Sequence, residues 1–425
     1  MFTESPISRV GRRLSRRYLR FGDSQDDVRL PTAAPDRHYL LYLHVPFCVV
    51  LCPFCSFHRV EFHEARCLGY FDALQHEIET VSDAGFRFGD LYVGGGTPTV
   101  MPKQLVRTIE LLRRLHPLQG ISTETNPDDL REDIVAPLLD AGVTRLSVGV
   151  QSFDDLLLAE MGRLEKYGSG AQIRQRLQRI AGRFKTLNID MIFNFPDQTE
   201  ASLDQDLDIL VNELHADQVS FYPLMTSEST RRPVEKRLGR IDHRREKQLY
   251  QQIAERMLAA GYNRSSAWCF SSQPAMIDEY IIDQDEYLGL GSGAFSYLGG
   301  RFYASTFSLN HYIDRAAAGL SGIVRERALS ERDQMRYYLL THLFAGCVDL
   351  DQADERFASR FRKVLWPELT TLRRSGSVSE LGNRLLLTDR GYYLWVVLMR
   401  EFFTGVNLLR EDMRHHIAAE RTPLH

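Results

Sequence analysis

From residue 39 onward, short apolar, β-branched runs alternate with longer amphipathic ones, and this rhythm limits the folds open to the chain. The strand candidates are Leu40–Val45, Asp90–Val93, Gly120–Glu124, Arg145–Val150, Leu187–Ile192 and Gln218–Tyr222. Helical patterns lie between them, at Arg66–Val81, Pro102–Leu115, Asp129–Asp140 and Ser202–Leu214, bounded by turn residues such as Asn126-Pro127-Asp128 and Pro196-Asp197. Strand–helix alternation demands a parallel sheet, because each helix carries the chain back to the end where the strand began.

Six such units form either a doubly wound sheet or a partial barrel, since a full barrel needs eight. The position of the unusual residues decides between them. Cys48 to Cys55, Gly94-Gly95-Gly96, Glu124, Gln151 and the region of Asp190 each follow or end a predicted strand. Chemistry gathered at the carboxyl ends of successive strands is the layout of a barrel site. The expectation is an α/β fold, a (β/α)6 partial barrel over residues 39–235. A basic arm over 1–38 precedes it, and an extension with a glycine-rich strand over 236–325 follows. A mostly helical, winged-helix-like domain, with a short strand at Arg384–Leu387 and a long helix from Asp389 to Phe403, fills 326–425.

Composition excludes several classes. A hydrophobic share of 44% and a charged share of 25% describe an ordinary globular chain, and a net charge of −4 gives no general attraction to nucleic acid. No apolar run is long enough to cross a bilayer. Six cysteines in 425 residues are too few for a disulfide scaffold, and three of them crowd into eight positions. Near the start, Arg9, Arg12, Arg13, Arg16, Arg17 and Arg20 read either as a transit peptide or as a basic surface arm. Glu4 and the acidic stretch Asp23–Asp27 suit the second reading, so a cytoplasmic location is expected.

The crowded cysteines are Cys48, Cys52 and Cys55, in C-x3-C-x2-C spacing. Three thiolates on one loop bind three irons of a [4Fe–4S] cube and leave the fourth iron without a protein ligand. A zinc site completed by His44 or His58 is the competing reading of the same residues. The remaining cysteines, Cys67, Cys269 and Cys347, stand alone in apolar or helical settings and read as ordinary thiols.

Tyr42-Leu-His44-Val-Pro46-Phe47-Cys48, followed by Pro53-Phe54-Cys55, resembles the opening of the radical S-adenosylmethionine (SAM) family of oxygen-independent coproporphyrinogen III oxidase and its relatives. Further segments continue the resemblance in order. They are Val93-Gly-Gly-Gly-Thr-Pro-Thr99, Thr123-Glu-Thr-Asn-Pro127, Ser147-Val-Gly-Val-Gln-Ser-Phe-Asp154, Ile189-Asp-Met-Ile-Phe-Asn-Phe-Pro196 and Gly289–Ser296. The resemblance implies a [4Fe–4S] cluster on the three cysteines. It also implies one or two SAM molecules, an electron donor such as flavodoxin or ferredoxin, and a porphyrin, porphyrinogen or heme-related substrate.

By the same resemblance Tyr42, Phe54, Gly95, Gly96, Thr97, Glu124 and Phe295 contact the first SAM or its surroundings. Gln151, Arg163 and Asp190 contact a second, across the barrel mouth from the cysteine loop. On the residues alone, Gly94–Gly96 is equally a tight strand-to-helix turn, Glu124 a solvated rim residue and Arg163 a surface charge.

Two departures stand out. The decarboxylating oxidase has a fourth cysteine where this chain has Phe57, and the heme-chaperone branch has a His-Asn…Tyr-Trp segment where this chain reads Ala275–Asp283. The expected activities are therefore radical chemistry on a porphyrin(ogen), by decarboxylation or methyl transfer, or a heme-binding role without net chemistry. A zinc-binding adaptor is the alternative outside the family.

Overall fold

The structure is a computed structural model that describes residues 19–22, 27–55, 57–225, 239–273 and 284–415, together with Ser8, Arg12, Glu235 and Lys236. Six parallel strands occupy the predicted positions, each extended by one to five residues: β1 (His38–Val45), β2 (Arg87–Gly95), β3 (Gly120–Thr125), β4 (Arg145–Gln151), β5 (Thr186–Phe193) and β6 (Gln218–Pro223). Every residue of β1 from Tyr39 to Val45 is buried, as expected of a strand covered on both faces.

The helices between them are amphipathic. α1 (Glu64–Asp83) links β1 to β2, and α2 (Pro102–Leu115) links β2 to β3. α2 buries Leu105, Thr108, Ile109 and Leu112, one stripe at the helical repeat, and starts on a proline whose missing N–H costs nothing at that position. α3 (Glu132–Asp140) is shorter than its sequence pattern, because Pro127–Asp129 forms a separate 3₁₀ turn. α4 (Gly170–Ile180) begins on a capping box, Ser169 with Gln172. α5 (Glu200–Asp208) gives way to a π-helical turn at Ile209–Glu213 where the pattern suggests continuous helix to Leu214.

Beyond α6 (His243–Ala259) the chain keeps adding to the same sheet. β7 (Cys269–Ser271) pairs antiparallel with β6 at one side. At the other side β8 (Tyr287–Leu290) lies parallel to β1, with Tyr42 opposite Gly289, and a meander of β9 (Phe295–Leu298), β10 (Arg301–Ser305) and β11 (Ile323–Ala328) follows. The order is β11-β10-β9-β8-β1-β2-β3-β4-β5-β6-β7, with the two-residue strand Asn263–Arg264 outside β7. Among the described residues the ends do not pair with each other, so the barrel is partial. The sequence reading of Gly289–Gly293 as a strand holds only for Gly289 and Leu290. Gly291 and Gly293 have φ of 96° and 79° and turn the chain into β9.

α7 (Leu309–Ala317) lies between β10 and β11. The C-terminal part comprises α8 (Glu331–Phe344), three short helices, a three-stranded sheet and α9 (Asp389–His415). That sheet has the order β12 (Cys347–Asp349), β14 (Arg384–Leu387), β13 (Val378–Leu381). α9 extends twelve residues past the expected end at Phe403 and packs on the barrel. Its Trp395 Nε1 donates to Leu340 O at 2.8 Å, and Phe403 lies 5.8 Å from Trp268.

On α9, buried Arg400 pairs with buried Glu246 and Glu401 and donates to Ser8 Oγ, while Arg12 Nε reaches Glu401 at 3.0 Å. Ser8 and Arg12 of the basic arm thus dock on α9; Arg9, Arg13, Arg16 and Arg17 lie outside the described residues. The Ala275–Asp283 stretch, where the two family branches differ, also lies outside them. No helix among the described residues is long and apolar enough to cross a membrane.

Candidate functional site

The loop from Phe47 to Arg59 follows β1 at the carboxyl end of the parallel strands. Its backbone is fastened to the end of β2, where the Gly96 amide donates to Val45 O at 2.8 Å and the Thr97 amide to Phe47 O at 2.8 Å. Gly96 is required there, since a Cβ would stand 2.7 Å from Phe47 O and 3.0 Å from Cys48 Sγ. Gly95, at φ 123°, is packed on His44, whose ring would be 2.9 Å from an added Cβ. Arg59 donates to Cys52 O and Cys55 O and closes the loop.

The sulfurs have donors of their own. Thr97 Oγ1 lies 3.6 Å from Cys48 Sγ, and Arg163 Nη1 lies 3.5 Å from Cys52 Sγ. Burial pushes the Cys48 thiol up to about 11, partly opposed by the Thr97 hydrogen bond. Cys52 and Phe54 sit in a small apolar cluster with Leu157, Met161, Phe195 and Leu224, against which Cys55 packs. Phe54 meets Phe195 edge-on at 6.0 Å.

Of the two histidines of the zinc reading, His44 has both ring nitrogens engaged within the protein. His44 Nδ1 is 2.8 Å from Tyr42 OH and its Nε2 is 2.9 Å from His58 O, while His58 Nε2 is 3.1 Å from Ser292 Oγ.

Glu124 on β3 accepts from the Gly95 amide at 3.0 Å and from Tyr92 OH at 3.1 Å, which holds its carboxylate over the Gly94–Gly96 turn. Tyr42 on β1 stands 6.1 Å from Tyr92 ring to ring. Asp190, inside β5 rather than at its end, accepts from Ser147 Oγ at 2.9 Å and from Asn188 Nδ2 at 2.7 Å. Gln151 is the last residue of β4, with φ of 78°. Phe295 is buried between Phe307 at 6.2 Å, Phe21 at 6.4 Å and the Arg410 guanidinium at 5.8 Å.

Arg163 differs from its expected place. The sequence reading sets it across the mouth from the cysteines; the structure sets it against them, 3% exposed, over the Tyr167 ring at 4.1 Å. The short helices Asp155–Glu160 and Leu164–Tyr167 fold the segment back toward the loop, a turn that spacing from Gln151 does not reveal.

Sequence reasoning also passed over Asn126, treated there as a turn residue. It donates from Nδ2 to Thr97 Oγ1 at 2.8 Å and accepts from Arg163 Nη2 at 3.4 Å. Asn194 and Gln198, at the end of β5, were missed too; both are buried, and Asn194 Nδ2 and Gln198 Nε2 have no partner among the described residues. The available signal was an amide placed directly after a strand, in Thr125-Asn126 and Phe193-Asn194.

Comparison with known proteins places this geometry. The model of the radical SAM superfamily matches residues 42–210. The heme chaperone HemW of Bacillus subtilis (strain 168) is 30% identical over 374 residues, covering 83% of this chain and 96% of that protein. The chain belongs to the radical SAM family of oxygen-independent coproporphyrinogen III oxidase and its relatives. Anaerobilin synthase of Escherichia coli O157:H7 is 28% identical over 378 residues, 85% of this chain and 83% of that one. The structure of coproporphyrinogen III oxidase (HemN) from Escherichia coli, at 22% identity, superposes with a TM-score of 0.75 over 90% of this chain and 95% of that one. The radical SAM partial barrel with its helical C-terminal region is therefore the fold of this chain, and a [4Fe–4S] cluster and SAM are the cofactors that membership implies.

Proposed function

We propose that this protein is a radical SAM enzyme in which Cys48, Cys52 and Cys55 hold the [4Fe–4S] cluster, acting on a porphyrin, porphyrinogen or heme-related substrate. When bound, the reduced cluster supplies the electron that cleaves SAM to methionine and a 5′-deoxyadenosyl radical. The observation that carries the reading is the company of the sulfurs. A buried guanidinium with no carboxylate partner among the described residues is directed at Cys52 Sγ, and burying such a charge is costly unless an anion lies beside it. An iron–sulfur cube with three thiolates is such an anion.

Each remaining candidate has a role in this reading. Glu124, held by Gly95 and Tyr92, presents carboxylate oxygens to a ribose diol, and Gly95, Gly96 and Thr97 line the approach to the loop. Tyr42, Phe54 and Phe295 supply apolar walls around the first SAM. Gln151 and Asp190 are assigned to a second SAM. Arg163 brings only its unpartnered Nε to that site, because its Nη groups are taken by Cys52, Asn126 and Gly149. A one-electron protein donor such as flavodoxin or ferredoxin completes the cycle.

The 30% identity with a heme chaperone over 96% of its length favours a second reading, heme binding without net chemistry on the tetrapyrrole. One experiment separates the two. Anaerobically reconstituted, reduced protein is incubated with SAM and either heme or coproporphyrinogen, and the products are resolved by chromatography. 5′-Deoxyadenosine with an altered tetrapyrrole supports the enzyme. Stoichiometric heme recovered intact, with SAM uncleaved at a demonstrably reduced cluster, supports the chaperone.

A further inference from the structure

The chain from Arg163 does not stop at Cys52. Arg163 Nη2 donates to Asn126 Oδ1 at 3.4 Å, which fixes the amide so that Asn126 Nδ2 faces Thr97 Oγ1 at 2.8 Å. Thr97 Oγ1, already accepting from Asn126, turns its own proton to Cys48 Sγ at 3.6 Å. One buried cation therefore governs donors on two of the three sulfurs. The guanidinium is held further by donating to Gly149 O and by lying over the Tyr167 ring at 4.1 Å.

We propose that Arg163, directly at Cys52 and through Asn126 and Thr97 at Cys48, raises the reduction potential of the cluster on that loop. The inference rests on the cluster assignment above. Reduction of a bound cluster would add one electron, taken from an external one-electron donor, and the thiolates of Cys48, Cys52 and Cys55 would share the new charge. Hydrogen bonds to those sulfurs and a nearby positive charge stabilise the reduced form more than the oxidised one. The low-dielectric setting formed by Phe54, Leu157, Met161 and Phe195 strengthens both effects. Arg163 acts here as a tuning residue through its Nη groups, before SAM binds and apart from any contact its Nε makes to SAM.

The test is a redox titration of reconstituted holoprotein without SAM, reduced chemically and followed by the paramagnetic signal of the reduced cluster, with iron and sulfide counted in each sample. Wild type is compared with Arg163→Gln, Arg163→Lys and Thr97→Val. The expected result is a midpoint shifted to more negative values in Arg163→Gln and Thr97→Val at unchanged iron content. Arg163→Lys, which keeps the charge but not the fork, falls between. Midpoints equal to wild type in fully loaded variants overturn the proposal, as does a shift that appears only when SAM is added, which returns Arg163 to SAM binding. If Arg163→Gln cannot hold the cluster, Thr97→Val alone decides by the same criterion. A wild type that takes up no iron–sulfur cluster overturns the functional reading itself, a result that the iron count reveals before any titration.

Discussion

Asp206 grips the turn that follows β4 by accepting the Phe153 amide at Oδ1, 2.8 Å away. Its Oδ2 takes the Ser152 hydroxyl, also at 2.8 Å, so one carboxylate near the end of α5 fixes the residues next to Gln151. Burial pushes this carboxyl up from 3.8 to about 7, against the opposing effect of those two hydrogen bonds. Between roughly pH 4 and pH 7 the folded chain keeps a proton that the unfolded chain has lost. The contribution is therefore largest below the unfolded value and is lost as pH rises toward 7, at about 1.4 kcal/mol per pH unit. Anaerobic urea unfolding at pH 5, 6 and 7 should show wild type losing stability relative to Asp206→Asn across that series. A constant difference between the two proteins would falsify the shift.

Replacing Cys48, Cys52 or Cys55 by Ala is expected to abolish the cluster, whereas wild type should hold about four irons and four sulfides. Cys67 is the internal control. It is fully buried on α1, burial pushes its thiol up to about 12, and Cys67→Ala should retain full iron. Full occupancy in Cys52→Ala, or stoichiometric zinc in anaerobically purified wild type, contradicts the assignment.

Gly96→Ala tests the contact between β2 and the cysteine loop. The added methyl would stand 2.7 Å from Phe47 O and 2.9 Å from Pro46 C, backbone atoms with no freedom to swing away. Overpacking of this kind costs about 1–3 kcal/mol. The expected outcome is a lowered midpoint in thermal unfolding together with reduced iron loading. Wild-type values for both would show that the loop stands farther from β2.

Gln151 adopts a left-handed conformation that costs an ordinary side chain about 1–2 kcal/mol. Glycine there removes the strain but adds about 0.5–1 kcal/mol of backbone entropy to the unfolded chain. Gln151→Gly should thus gain roughly 0.5–1 kcal/mol of stability, the difference between those two ranges. If Gln151 serves a second SAM, equilibrium dialysis should fall from about two SAM per chain to about one at a suitable concentration. One SAM per wild-type chain at saturation removes the second site.

The sequence made the six parallel strands legible because their signals are local: β-branched runs set between amphipathic stretches, each closed by a turn residue. Pro102–Leu115 and Arg384–Leu387 coincide with elements of the structure for that reason. The place of β8 beside β1 was not legible. Nothing in Tyr287–Leu290 names a partner 247 residues upstream.

Arg163 was legible as a candidate, but its place beside Cys52 was not. Its neighbours are fixed by two short helices and by a backbone carbonyl, neither of which leaves a periodic trace. Asn126 was hidden by its own plausibility as a turn former beside Pro127. The π-helical turn at Ile209–Glu213 is a packing adjustment on an otherwise helical pattern, and spacing alone gives no sign of it.

The seat of β1 between β2 and β8 carries a consequence for the order of events during synthesis. The cysteine loop leaves the ribosome early, but His58 beside it bonds Ser292, 234 residues later, and Tyr70 joins His44 O to the Ser292 amide. At about 5–20 residues per second, that delay is on the order of ten seconds or more. Throughout it, one side of β1 has no strand and the loop lacks its rear wall. On the proposed cluster assignment, a newly made chain exposes Cys48, Cys52 and Cys55 to oxidation and to stray metals well before the loop is enclosed, and cluster insertion would follow translation past the glycine turn.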